Sequence, residues 1–328
     1  MKMNNNITYI IGTIVISLTI IFSVVKLGNL FRPTSTDDQI NQINTFHNLP
    51  ENSIEVITYG SSIMWNGIDV MEMYKNYGIG AYNYGCSWQA FNTTELFFED
   101  SLRTQSPKVV IIDTNKISAI ITDTPVDGEI YYTKAISNFD GKEKYLKQCF
   151  GDNIGYHLSY HIPFIAFHQN WTGLSQNSFY DAPYNDKYLS KMGYNPLYTE
   201  TSIGFISYDA SRQLELSNES IAILDNVVSK CKHNNINIIL ISIPRSDLNE
   251  YSDALYEYAD KNDCVYIDFF KHIDKPGICT NTDFADAGHL NDKGAKKLAN
   301  YLGQFIINNY TVTDMRTIDN LWEQSLSE

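Results

Sequence analysis

Three side chains able to perform nucleophilic chemistry together stand near the two ends of this chain. Towards the front, the apolar run Ile54–Tyr59 breaks at Gly60 into Ser61-Ser62. Towards the back, Asp283–Asn291 reads DFADAGHLN, which sets Asp286 three residues before His289. A serine hydroxyl is a poor nucleophile until a base removes its proton, and the base works best when a third group fixes its tautomer. Ser62, His289 and Asp286 supply nucleophile, base and orienting carboxylate, with Asp283 the next carboxylate for the third role. Gly-Ser-Ser alone is ordinary turn composition. The Asp-x-x-His stretch gives it chemical meaning, because one turn of chain sets carboxylate beside imidazole. The Ser62 backbone N–H is one donor for the negative oxygen that acyl transfer develops. Ser61 reads as a turn residue whose side chain satisfies local backbone.

These residues need a scaffold. Ile54–Tyr59, Ala81–Tyr84, Lys108–Asp113, Ile236–Ile243 and Cys264–Phe269 read as short buried strands. Asp69–Tyr77, Trp88–Arg103, Ser217–Asn234, Asp247–Asp260 and Lys293–Asn308 read as helices between or after them. That alternation predicts an α/β fold, a parallel sheet with helices on both faces. Open sheets of this kind place their chemistry at the carboxyl edge of the strands, where Ser62 emerges. Arg245 follows the fourth strand through Pro244 and emerges at the same edge, to bind an anionic group, clamp a loop or stay solvated. Gln89 begins the helix after Gly85, as a side-chain donor or a polar helix-start residue.

The stretch from about 117 to 215 breaks the rhythm. It is rich in Tyr, with helix signals around Lys142–Cys149 and Ile154–Phe167. It reads as an insertion over the catalytic edge, either extra packing or a lid and acceptor platform, since aromatic faces suit sugar rings. The chain divides into an anchor (1–30), a linker (31–52, with a short helix near Gln39–Phe46), a main domain (53–310, holding the insertion) and a tail (311–328).

With these residues in view, the sequence resembles the SGNH (GDSL-type) hydrolases and acyltransferases. Gly-x-Ser after the first strand and Asp-x-x-His before the last helix carry the likeness. GSSIMWNGI, NYGCSWQ and HLNDKGAKKLANYL most resemble the membrane-anchored bacterial branch. That branch includes proteins that O-acylate cell-surface polysaccharides, and it is related to the protein that helps place D-alanine on teichoic acids. The resemblance spans roughly Ile54–Ile307, loosely in the middle third. It implies a flavodoxin-like three-layer α/β/α sandwich and a serine acyl-enzyme mechanism, with the Gly-x-Ser spacing selecting Ser62. It implies further oxyanion donors at Gly85 and at Asn115, although the third strand here ends Asp113-Thr114-Asn115 and not Gly-x-Asn-Asp. His168 and Trp171 are similar to a His-x-x-Trp pattern of related anchored proteins and are substrate-lining candidates beside Gln89 and Arg245. The implied partners are a cell-surface polysaccharide or teichoic-acid-type glycan and a membrane-bound acyl-donor protein. The implied activity is O-acetylation of the glycan. An esterase removing the same groups, and a catalytically silent glycan-binding scaffold, are the alternatives.

Ile7–Val25 is an uncharged apolar run of 19 residues, long enough to cross a bilayer. An uncleaved single-pass anchor fits it better than a cleaved signal peptide, because Lys26-Leu27-Gly28 is not an A-x-A-like site. Lys2 before the run, and Lys26 and Arg32 after it, do not fix orientation. Placement of the domain outside the cytoplasm therefore rests on the resemblance. With 43% hydrophobic residues, the 328-residue chain can build a sizeable core. A net charge of −14 excludes nucleic-acid binding by counterion release. The five cysteines show no C-x-x-C, the seven histidines no HExxH and the glycines no P-loop, so neither metal nor cofactor is expected.

Overall fold

The computed structural model describes residues 5–31, 38–122, 132–133, 136–174, 190–318 and 321–326. Parts of the expected linker, insertion and tail lie outside these residues.

Five parallel strands form one sheet: β1 (Val56–Tyr59), β2 (Ala81–Asn83), β3 (Val109–Asp113), β4 (Asn237–Ser242) and β5 (Val265–Asp268), in the order β2-β1-β3-β4-β5. Each lies within an expected segment. Nearly every strand residue is buried, which is why the strands read as continuous apolar runs and not as alternating ones. Thr58 pairs with Asn83 of β2 on one side and Ile111 of β3 on the other, making β1 an interior strand. The chain leaves β1 for β2 and then crosses back over β1 to β3. This reversal is the switch point at which such sheets open a crevice beyond their carboxyl ends.

The described helices are α1 (Asn5–Phe31), α2 (Asp38–Asn48), α3 (Ser62–Gly67), α4 (Val70–Tyr77), α5 (Phe91–Ser101), α6 (Asp140–Phe150), α7 (Ile154–His161), α8 (Pro163–Phe167), α9 (Asn218–His233), α10 (Ser252–Asn262), α11 (Asp292–Asn309) and α12 (Leu321–Leu326). α3, α4 and α11 pack together, while α9 packs on α5 and reaches α10 through Tyr258 to Asp225, giving the two outer layers. Asp69 caps α4 by accepting from Met71 and Glu72 N–H, and Gly78 ends it in the left-handed conformation.

Several boundaries differ from expectation for visible reasons. The segment expected as a helix from Asp247 begins at Ser252, because Asn249 and Glu250 carbonyls accept from Gln213 Nε2 and Leu214 N. The helix expected from Trp88 begins at Phe91, after Trp88 takes a positive φ of 56°. Part of the linker reaches the core: α2 buries Ile43 and Phe46, and Gln42 donates to the Asn83 carbonyl at 2.6 Å. Part of the tail does too, with buried Trp322 donating to the Ala81 carbonyl at 3.0 Å.

α1 contains a 23-residue apolar stretch, Asn6–Gly28, in which an 18-residue window has a mean hydropathy of 2.4 and no buried residue. By length and composition it can cross a membrane, a test a signal segment also passes. Its carboxyl end meets the domain at α8, where the Phe31 and Phe164 rings stand 5.9 Å apart.

Candidate active site

β1 delivers the first side chain. After Tyr59 the chain turns at Gly60, where a Cβ would stand 2.7 Å from Asp113 Cβ and 2.9 Å from Met64 Cβ. Only glycine passes this gap between β3 and α3. Ser61 is 1% exposed and caps α3, its Oγ accepting from Ile63 N–H at 3.4 Å. Ser62 is the first residue of α3, in the turn whose N–H groups have no intrahelical acceptor.

The loop from β5 to α11 delivers the other two. It is a closed turn: Ala285 N–H donates to the His289 carbonyl at 2.9 Å, and Asn291 caps α11 through Lys293 and Gly294 N–H. His289 Nε2 lies 2.9 Å from Ser62 Oγ. His289 Nδ1 lies 2.9 and 3.0 Å from the Asp286 carboxylate oxygens. A carboxylate only accepts, so Nδ1 carries the ring proton and Nε2 faces the serine hydroxyl with its lone pair. Gly288 N–H donates to Asp286 Oδ1 at 2.7 Å and holds the carboxylate in place. Partial burial pushes the Asp286 carboxyl up. The Gly288 N–H, the His289 ring and its charge together outweigh that and hold it below the usual carboxylate range. Asp283 is committed elsewhere: it is buried, pairs with Lys297 and accepts from Cys279 N–H.

Residues 190–203, the far end of the insertion, tie the two halves of the site together. Trp65 Nε1 donates to the Gly193 carbonyl at 3.0 Å, and Asn66 Nδ2 to the Asn195 carbonyl at 2.6 Å. Thr199 and Thr201 hydroxyls both donate to the Ala285 carbonyl, and Thr201 N–H to Phe284. Nothing in the sequence pattern marks these residues.

The remaining site candidates fare differently. The Gly85 N–H is spent on Asn83 Oδ1 at 3.1 Å; this glycine is needed because a Cβ would approach Trp65 N to 2.9 Å. Asn115 Nδ2 donates to the Ile243 carbonyl at 2.7 Å, tying the ends of β3 and β4. Gln89 is turned inward: it is buried, accepting from Cys86 N–H and donating to Thr94. Arg245 does emerge at the carboxyl edge, but it clamps its own turn by pairing with Asp247. His168 and Trp171 lie on a 3-10 turn beside α1, whose Phe31 carbonyl accepts from Asn170 Nδ2 at 3.0 Å. Among the described residues no hydrogen bond, ion pair or ring contact joins either to Ser62, His289 or Asp286.

One residue at this edge escaped the sequence reading. Asp113 ends β3 beneath the Gly60 turn, 1% exposed, with Oδ1 accepting from Asn115 N–H and Oδ2 without a hydrogen-bond partner. Burial raises its carboxyl to about 7, against the pull of the Asn115 N–H and the Arg245 charge. An apolar strand ending in Asp was the only signal. Among the described residues, one cluster has metal-ligand character, Glu143 with His157 and His161 on α6 and α7, apart from the Ser62 turn.

No protein-family model and no curated protein sequence matches the chain. Solved structures do resemble it. An acylhydrolase-type protein from Bacteroides fragilis NCTC 9343 is 12% identical, with a TM-score of 0.39 over 81% of this chain and 93% of that one. A GDSL-like lipase from Bacteroides thetaiotaomicron VPI-5482 is 14% identical, with a TM-score of 0.35 over 77% and 87%. A catalytic mutant of an acetylxylan esterase from Geobacillus stearothermophilus is 13% identical, with a TM-score of 0.37 over 77% and 94%. At these scores the chemistry has to be read from the chain's own side chains.

Proposed function

We propose that this chain is a serine acyltransferase held at the cell membrane by α1, with its domain outside the cytoplasm, that O-acetylates a cell-envelope glycan. The observation that carries the chemistry is the continuous line from Ser62 through His289 to Asp286. Ser62 Oγ attacks the acyl carbonyl while its proton passes to His289 Nε2. The oxyanion forms beside the Ser62 N–H. Collapse expels the donor's leaving group, which takes the proton from His289, and leaves the acyl group as an ester on Ser62. A glycan hydroxyl then gives its proton to His289 Nε2 and attacks that ester. The second collapse returns the proton to Ser62 and releases the acylated glycan. Asp286 holds Nδ1–H throughout and stabilises the imidazolium at each transfer.

The glycan acceptor, the acetyl group and the membrane acyl-donor protein rest on the resemblance of GSSIMWNGI, NYGCSWQ and HLNDKGAKKLANYL to the anchored branch. Esterase action on the same glycan is the second reading. It is favoured by the openness of the site, since the His289 and Asp286 side chains are 27% and 57% exposed and water can reach an acyl-enzyme there. A silent scaffold has no use for the Ser62–His289–Asp286 alignment. Mass analysis of envelope glycan from cells with the wild-type chain, with Ser62→Ala and without the chain tests the readings. Acylation lost in both deficient strains supports transfer, and excess acylation supports esterase action. Unchanged glycan in both overturns the assignment.

A further inference from the structure

A second constellation lies outside the serine site, where α6 meets α7. Glu143 projects from α6, while His157 and His161 stand four residues apart on one face of α7. One nitrogen from each ring and one Glu143 oxygen lie within 4.8 Å of one another. Glu143 Oε1 is 2.9 Å from His161 Nε2, and Oε2 is 3.9 Å from His157 Nδ1.

The outer nitrogens decide what the inner ones can do. His157 Nε2 lies 2.9 Å from the Gly151 carbonyl, which only accepts, so in the neutral ring that nitrogen carries the proton. His157 Nδ1 is then left with a lone pair. His161 Nδ1 lies 3.0 Å from Asn138 Oδ1 and carries the proton in the same way, leaving the lone pair on Nε2. His161 Nε2 is moreover buried without a hydrogen-bond partner, despite the nearby carboxylate. In the neutral rings two nitrogen lone pairs and a carboxylate thus converge, and a bound cation would resolve the repulsion. Metal-ligating histidines characteristically give their other ring N–H to a carbonyl or carboxylate oxygen, and both rings here do so.

We infer that Glu143, His157 and His161 form a transition-metal site, with Zn²⁺ the ion that fits and water in the fourth position. Two imidazoles and a carboxylate are a zinc-type donor set. With bonds of about 2.0–2.1 Å, ligand atoms in a tetrahedral site stand roughly 3.3 Å apart. No pair need therefore close by more than about 1.5 Å, and Glu143, whose side chain is 54% exposed, has room to adjust. The ion would pin α6 to α7. α7 leads through Pro163 into α8, which packs against the end of α1, where a Cβ on Gly28 would stand 2.6 Å from Phe164 N. The site would thus brace the helical arm that grips the apolar helix.

The test is equilibrium dialysis of the full chain in detergent against Zn²⁺, with bound metal counted, and visible spectroscopy after loading with Co²⁺. The variants are His157→Ala/His161→Ala, Glu143→Gln and His289→Ala. The wild type and His289→Ala should bind one equivalent more than the double variant. Glu143→Gln keeps both rings and their outer hydrogen bonds, so it retains the fold while losing about tenfold or more in affinity. Co²⁺ should give the intense visible bands of a four-coordinate site in the wild type and not in the double variant. Equal binding by wild type and both α6–α7 variants overturns the site. So does an equivalent that disappears with His289→Ala alone, which would assign the ion to the serine centre.

Discussion

Replacing Asp286 by Asn separates two roles of the orienting carboxylate, its geometry and its charge. The asparagine oxygen can keep both the Gly288 N–H at 2.7 Å and the His289 Nδ1–H at 2.9 Å, because one carboxylate oxygen already accepts both. Its amide would then occupy the place of the second oxygen, 3.0 Å from Nδ1. The tautomer therefore survives and the loss is chiefly electrostatic. Unit charges about 4 Å apart attract by about 1 kcal/mol in water and about 4 kcal/mol at the effective dielectric of a protein surface. With its side chain 57% exposed, Asp286 falls between these limits. A loss of about 2–3 kcal/mol is expected, on the order of 10²-fold in the acylation rate. That is well short of the roughly 10⁴-fold known for the buried carboxylate of the serine proteases. The assay is release of p-nitrophenol from p-nitrophenyl acetate under single-turnover conditions, beside the labelling rate with a fluorophosphonate. A folded variant with wild-type rates would take the orienting role away from Asp286. A loss as deep as that of Ser62→Ala would refute the retained tautomer, showing that the amide flips and donates to Nδ1.

Three further outcomes follow from the geometry. A fluorophosphonate should label Ser62: the adduct should vanish in Ser62→Ala and persist in Ser61→Ala, which loses only a helix cap worth about 1 kcal/mol; peptide mapping that finds it on Ser61 would reverse the assignment. Asp113→Asn should flatten the pH dependence of stability. The folded carboxyl titrates at about 7 against 3.8 in the unfolded chain, so the native state keeps a proton that the unfolded state releases. Stability contributed by that proton is complete below pH 4 and is lost as pH rises towards 7, by roughly 4 kcal/mol in all. Urea midpoints of wild type and variant measured from pH 4 to 8 should therefore diverge, and parallel curves would contradict the buried, unpartnered oxygen. Gly193→Ala should destabilise by about 2–4 kcal/mol, combining left-handed backbone with overpacking, because φ is +86° and a Cβ would meet the Asn83 carbonyl at 2.1 Å. An unchanged denaturation midpoint would show that the 190–203 strap is not held as described.

What the sequence determined on its own is the part written in local pattern. Fully buried parallel strands need side chains that are apolar on both faces, so four of the five announced themselves as short runs with β-branched residues, the exception being Ala81–Tyr84, and the helices between them imposed the layering. The chemistry was legible where it is also local: Asp286 and His289 share one turn, and Gly60-Ser61-Ser62 punctuates a strand end. Pairing Ser62 with His289 needed the fold, since 227 residues separate them and β3 and β4 stand between β1 and β5; the return of the chain after β5 to α11, which packs on α3 and α4, brings them together. The same holds for side chains whose meaning is a partner. Gln89 resembled a pocket donor until burial gave both ends of its amide to Cys86 and Thr94. The strap at 190–203 works through single hydrogen bonds to distant carbonyls, which leave no periodicity behind. His157 and His161 stand four apart in the sequence, but their carboxylate lies on the preceding helix, and Gly151 and Asn138 orient the rings only in the fold. Periodicity records which face of an element is buried; what meets that face is decided only when the elements pack.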